Sequence, residues 1–257
     1  RELMTNSFVK SGRLLGMIER AGRRHIARQV SDAKLRSQVT PNFRAGCKRI
    51  LMSDDWYPAL QRANVELVTD PIARMSAAGI ETHSAKNPGD FREFDAVVLA
   101  TGFRVQRRSI LSQIIGAHGK SIAATMILTE PTAYLGSTVP GFPNLVLMTG
   151  PNTGLANNSM ILMIEAQARY AGTMASYLAG NPEVALDVRS DVVKRFSAEL
   201  DHRLGGSVWS AGGCSSWYQD GSGRVTALWP GTTTEYRRRT RRLELGDYEQ
   251  VPRVGRE

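Results

Sequence analysis

Three stretches of the 257-residue chain bring together residue types that could meet a ligand. In Phe94 to Phe103, FDAVVLATGF, the apolar run Val97 to Ala100 stops at Thr101-Gly102. A buried strand ending in a Gly turn opens on the crevice where ligands sit in open α/β sheets, because Gly lets the backbone turn or approach closely. In Asn144 to Tyr170, a second apolar run at Leu145 to Met148 leads into Gly150-Pro151-Asn152-Thr153-Gly154 and on to Asn157-Asn158, either of which can cap a helix. Strand, Gly-rich loop and capped helix start aim several backbone N–H groups at one spot, which suits an anionic or carbonyl-rich ligand. The same letters also describe an ordinary βα unit whose methionines pack a core. The third stretch is Gly46-Cys47-Lys48-Arg49, followed by SDDWYPAL from Ser53. On residue types alone, Lys48-Arg49 are surface cations at a strand start.

The elements that must position these stretches follow from hydrophobic period. Residues 7–38 read as helical through Leu14, Leu15, Ile18, Ile26 and Val30. Short strands are expected at 50–52, 65–68, 97–100 and 145–148, with a helical turn at 56–63. Ile80 to His83 and Phe91 to Phe94 suggest a hairpin about Lys86-Asn87-Pro88-Gly89. Residues 104–143 read as loop-rich, with Pro131, Pro140, Gly141 and Pro143 as breakers. A long helix over 158–179 places Met160, Met163, Ile164, Gln167, Ala171, Met174, Ala175 and Leu178 on one face, and Gly180-Asn181-Pro182 stops it. A second helix over 188–204 is amphipathic through Val192, Val193, Phe196, Leu200 and Leu204. The remainder, rich in Gly, Ser and Trp, reads as irregular and ends in an Arg-rich tail.

Taken in order, GCKR, SDDWYPAL, VELVTDPI, FDAVVLATGF, PNLVLMTGPNTGL, SMILMIEAQ and GGCSSWYQD resemble the Baeyer–Villiger monooxygenases, flavoproteins that use FAD and NADPH. The likeness runs from about Leu14 to Tyr248. A complete member of that family carries one Gly-x-Gly-x-x-Gly turn for the flavin, a fingerprint with a His-Thr pair and a Trp, and a second Gly-rich turn for NADPH. None of these occurs here. The resemblance therefore implies the C-terminal half of such an enzyme: an α/β chain made of the closing halves of two Rossmann-like dinucleotide-binding domains. Residues 1–100 would close the NADPH-binding domain and carry its helical excursion. Residues 101–180 would close the FAD-binding domain, and 181–257 would supply a C-terminal helix and an irregular segment. The chain begins Arg1-Glu2-Leu3, with its first Met at position 4. A fragment, a truncated reading frame or a decayed gene product all fit. Its first partner would be the missing N-terminal half, and the strand edges left bare would favour aggregation.

The activity implied is insertion of one oxygen atom of O2 beside a ketone carbonyl, with NADPH as reductant. Both the oxygen-transferring species and the tetrahedral alkoxide are anionic, so such a site needs a fixed cation. Arg suits it by staying charged and presenting a rigid donor fork. By resemblance, Arg49 is that catalytic cation and Lys48 contacts the 2′-phosphate of the nicotinamide cofactor. Asn152, Leu155, Asn158 and Met160 are implied as flavin-ring contacts, with Thr101 and Gly102 at the domain crossing. Trp217 of SSWY matches a position close to NADP and the substrate pocket, and equally fits a core Trp. Ala156-Asn157 stands where many relatives carry Gly-His. His25, His83, His118 and His202 match nothing catalytic. Two other classes stay open: a related N- or S-oxygenating flavin enzyme, or a non-catalytic remnant with incidental polyanion binding.

Composition narrows the field further. Net charge is +9 and the isoelectric point is near 9.9, concentrated in Arg20, Arg23, Arg24 and Arg28 and in Arg237, Arg238, Arg239, Arg241 and Arg242. No aromatic residues interleave with either cluster, so a solvated face is expected and nucleic acid is not. Cys47 and Cys214 are the only cysteines. With no CxxC and no nearby His cluster, they read as inert packing thiols, without zinc or a disulfide, in a reducing and therefore cytoplasmic setting. No apolar run approaches the roughly 18 residues of a membrane span.

Overall fold

The computed structural model describes residues 2–10, 12–83, 88–102, 109–128 and 133–253. In chain order the helices are α1 (Glu2–Lys10), α2 (Arg13–Gln29), α3 (Ala33–Val39), α4 (Trp56–Leu60), α5 (Ile122–Leu128), α6 (Met160–Gly180), α7 (Ser190–Gly205), α8 (Val208–Ala211) and α9 (Thr233–Arg239). The strands are β1 (Ile72–Ser76), β2 (Gly79–His83), β3 (Pro88–Glu93), β4 (Val184–Val188) and β5 (Tyr248–Pro252). They form two sheets, β1-β2-β3 and β4-β5, antiparallel throughout. The chain divides into two compact units. The larger holds Arg1–Arg20, Asn42–Leu51 and Arg104–Glu257, the smaller Ala21–Pro41 and Met52–Phe103.

The larger unit is built on α6 and α7. Ser159 caps α6, its hydroxyl accepting from the Ile161 N–H at 3.3 Å, one residue beyond the expected Asn158. The buried face is Met163, Ala166, Gln167, Tyr170 and Met174. It is turned slightly from the expected stripe, so that Ala175 is exposed and Tyr170 fully buried. Helix α7 buries the five expected side chains, Val192, Val193, Phe196, Leu200 and Leu204. Trp209, Trp229, Tyr218 and Tyr236 complete one continuous core with Phe8, Leu15 and Leu155. The Arg-rich tail, expected to be irregular, begins as α9, because Thr232 accepts from the Glu235 N–H at 3.0 Å and caps it. Strands β4 and β5 also lie where no strand was expected, paired in register from Val184↔Pro252 to Val188↔Tyr248.

In the smaller unit the expected β2–β3 hairpin forms, and β1 joins it as a third strand. Lys86 and Asn87 of its turn lie outside the described residues, as do Phe103 and Pro131. Ile26 and Val30 are buried, and His25 sits 5.8 Å from the Tyr57 ring.

The strands expected at 50–52, 65–68, 97–100 and 145–148 are not formed. A strand needs hydrogen-bonding neighbours, and no described segment supplies a ladder to the first three. Several of their apolar side chains lie in solvent: Leu51 is 83% exposed, Met52 93%, Val98 88% and Leu99 70%. Residues 145–148 are held instead by turns, with the Leu147 N–H on the Ser137 carbonyl at 2.7 Å.

Candidate functional site

The site is assembled around Gly46-Cys47-Lys48-Arg49 in the larger unit. Gly46 takes φ +85°, and a Cβ there would come within 2.5 Å of the Phe8 ring, so only glycine lets the chain pass. Cys47 is fully buried and bonded to Cys214, with Cα atoms 6.1 Å apart. This corrects the sequence-based expectation of two inert thiols. A separation of 167 residues and the absence of a CxxC hide such a pairing in sequence, yet the fold brings both cysteines onto one wall. The Arg44 N–H on the Gly212 carbonyl, 2.9 Å, reinforces the same junction.

Beyond the disulfide, Lys48 and Arg49 reach the surface. The Lys48 ammonium lies 5.1 Å from the centroid of the Phe43 ring. Arg49 turns to the loop that follows 145–148, where its Nη1 donates to the Leu155 carbonyl at 3.0 Å. That loop is zipped onto residues 225–229. Asn152 N–H meets Thr226 O at 2.8 Å, Gly154 N–H meets Ala227 O at 2.7 Å, and Trp229 N–H meets Gly154 O at 2.9 Å. A Cβ on Gly154 would lie 2.6 Å from the Ala227 oxygen, which explains the glycine. Asn152 adopts φ +54°, a left-handed conformation that Asn tolerates better than most residues. Its buried amide donates to the Val225 and Leu228 carbonyls at 3.0 and 3.1 Å. Asn152 therefore shapes the loop rather than offering its side chain outward.

The 225–229 segment is tied in turn to SSWY, since the Thr226 and Ala227 N–H groups both reach the Tyr218 carbonyl, at 3.0 and 3.2 Å. The Trp217 and Tyr218 rings meet at a tilt of 60° with centroids 4.6 Å apart, Trp217 being 45% exposed and thus not a core residue. Tyr218 is fully buried, and among the described residues its hydroxyl and the Thr226 hydroxyl have no hydrogen-bond partner. Burial pushes the Tyr218 phenol up, and the Arg49 charge pulls part of that back, so the guanidinium is close enough to be felt. Tyr218 and Thr226 are not singled out by the sequence; Tyr218 has only its place beside Trp217 in SSWY as a signal, and Thr226 has none.

Of the other expected residues, Asn158 accepts from the Ser159 N–H at 2.9 Å and donates to Glu2 at 3.4 Å. Met160 opens α6, half-buried against the core. The structure thus brings Arg49, Leu155, Asn152 and Trp217 into one network. Thr101 and Gly102 are exposed, Gly102 at φ +89°, and belong to the smaller unit. The arrangement leaves a surface guanidinium with unused donors, fixed by a backbone carbonyl, next to an orphaned phenol. It can hold an anionic oxygen. Among the described residues no group of three or more His, Cys, Asp or Glu could hold a metal ion, and no helix is long and apolar enough to cross a membrane.

No protein-family model matches the chain. Whole-sequence comparison does. Over 253 residues, 97% of this chain, it is 40% identical to a Baeyer–Villiger monooxygenase of Streptomyces coelicolor. Over 94% of this chain it is 38% identical to a Baeyer–Villiger monooxygenase of Pseudomonas aeruginosa. By sequence, the chain is similar to one half of Baeyer–Villiger monooxygenases. It spans about half the length of these curated relatives, 47% and 45%. Among solved structures it resembles an oxidized steroid monooxygenase bound to NADP, with TM-score 0.73 and 27% identity over 88% of this chain and 43% of that one. A crystal structure of OTEMO in complex with FAD and NADP shares the fold, with TM-score 0.80 and 22% identity over 92% of this chain and 44% of that one. The chain thus shares the α/β fold of Baeyer–Villiger monooxygenase structures.

Proposed function

We propose that this chain supplies the catalytic cation and one wall of the active site of a monooxygenase that inserts one oxygen atom of O2 beside a ketone carbonyl. The supporting observation is Arg49, whose own segment is anchored by the Cys47–Cys214 disulfide and whose guanidinium is fixed by the Leu155 carbonyl on a loop that backbone hydrogen bonds hold in place. FAD and NADPH are the cofactors in this reading, as in the solved relatives. The residues present fit the reacting end of such a group: an arginine with free donors, the Leu155 to Met160 backbone, and buried Tyr218 and Thr226 hydroxyls lacking partners. Residues for a dinucleotide pyrophosphate are not among them, since no Gly-x-Gly-x-x-Gly occurs in the sequence. When bound, the reduced flavin supplies the electrons that activate O2.

What the chain itself does is electrostatic. Arg49 holds negative charge on the reacting oxygens, first before attack on the ketone and then on the alkoxide. Its donors are already oriented, so little reorganisation is needed at the moment of reaction. Lys48 stands beside it for the 2′-phosphate, and half-exposed Trp217 offers a flat face to nicotinamide or substrate. In the same reading, the closing parts of the NADPH-binding domain (1–100) and the FAD-binding domain (101–180) precede a C-terminal segment (181–257).

The test is to co-express the chain with the part of the Streptomyces coelicolor relative that it does not match, and to assay a cyclic ketone. Arg49→Ala should cut ester formation by roughly 10²–10³ while NADPH oxidation stays measurable. Near-unchanged lactone formation would remove Arg49 from the chemistry.

A further inference from the structure

A second candidate site lies between α6 and the end of α9. A cavity of about 440 Å³ is lined by Ala166 and Arg169 of α6 and by Arg237, Arg238, Thr240 and Arg241 of α9 and the turn after it. No residue of the Arg49 network lines it. Ala166 and Thr240 are buried and form its floor, while the four arginines are exposed. Their neighbour Arg239 is committed elsewhere: it pairs with Glu199 and Glu235, which Arg203 also holds. Arg169, Arg237, Arg238 and Arg241 form no ion pair among the described residues.

Four arginines lining one cavity place like charges near one another, and an anion held among them would relieve that repulsion. A single carboxylate would answer one of the four. A phosphate group carries up to two charges and three acceptor oxygens, and guanidinium forks match it in bidentate fashion. The volume is on the scale of a small-molecule site rather than of a lone ion. From the convergence of these four unpaired arginines on one cavity, we propose that it binds a soluble phosphorylated small molecule, through a phosphate or pyrophosphate group, at a site separate from Arg49.

Inorganic pyrophosphate is the probe. Titration calorimetry at physiological salt should show saturable binding of one equivalent. Arg237→Ala/Arg241→Ala should weaken it by at least tenfold, while Arg23→Ala/Arg24→Ala, which removes equal charge from α2, should change it less than twofold. In the unmutated chain, pyrophosphate should protect Arg237, Arg238 or Arg241 from phenylglyoxal, as read by peptide mass spectrometry, so a misfolded variant would not obscure the result. Equal weakening by both double variants, no saturable binding, or no protection would each overturn the proposal. So would binding to phosphatidylserine-containing vesicles without binding to pyrophosphate, because the source of the phosphate would then be a lipid surface.

Discussion

Breaking the Cys47–Cys214 bond should destabilise the larger unit by several kcal/mol. The bond closes a loop of 167 residues, for which the chain-entropy relation gives roughly 5 kcal/mol, while disulfides more often deliver about 2–4. For a unit of this size each kcal/mol moves the melting midpoint by about 2–4 °C, so a fall of about 5–15 °C is expected. The assay compares melting of the oxidised chain, the chain reduced with dithiothreitol, and Cys47→Ala/Cys214→Ala. Reduction should have no effect on the double variant, which separates loss of the bond from any other action of the reagent. Mass spectrometry after alkylation under native conditions counts free thiols. Two free thiols in the untreated chain, or equal midpoints with and without reductant, would refute the reasoning.

Three further outcomes follow. Unfolding by denaturant should shift to lower concentration as pH falls through the carboxylate range, because hydrogen bonds from Arg239 to Glu199 and from Arg203 to Glu235 hold both carboxyls below their ordinary value; the unfolded chain then binds more protons than the folded one, so stability is lost as pH falls through the folded values. Glu199→Gln/Glu235→Gln should flatten that dependence, measured as midpoint against pH. Asn152→Ala should cost about 2–4 kcal/mol, since it leaves the Val225 and Leu228 carbonyls without their donor and puts Ala at positive φ; a loss below 1 kcal/mol in denaturant melts would contradict that role. Purified alone, the chain should be colourless, and a stoichiometric flavin absorbance spectrum would show that residues present here suffice to hold FAD.

Sequence patterns legible from one element alone were read correctly. Helix α7 and the body of α6 follow from spacing of Val, Leu, Phe and Met, and the β2–β3 hairpin from alternation between turn residues. Features that depend on a distant partner were not legible. Val97 to Ala100 has the composition of a buried strand, but composition cannot supply neighbours, and the run lies in solvent. Strands β4 and β5 pair across about sixty residues and carry Asp187, Glu249 and Gln250, which mask their alternation. At the site, Arg49 and Trp217 stood out through their motifs. The orphaned hydroxyls of Tyr218 and Thr226, and the inward turn of Asn152, exist only once the 225–229 segment is in place.

That segment has a consequence for the order in which the molecule becomes itself. Arg49 finds its acceptor 106 residues later, and that acceptor's loop is held by backbone more than seventy residues further on. On a ribosome making about 5–20 residues per second, the cation would be complete several seconds before anything could hold it. The set of contacts that fixes Arg49 is therefore incomplete until Tyr218 to Trp229 have emerged. A chain cut off before residue 225 would contain every residue singled out in the three motif stretches and both cysteines, yet the loop that carries the Leu155 carbonyl would lack the backbone partners that hold it against Arg49.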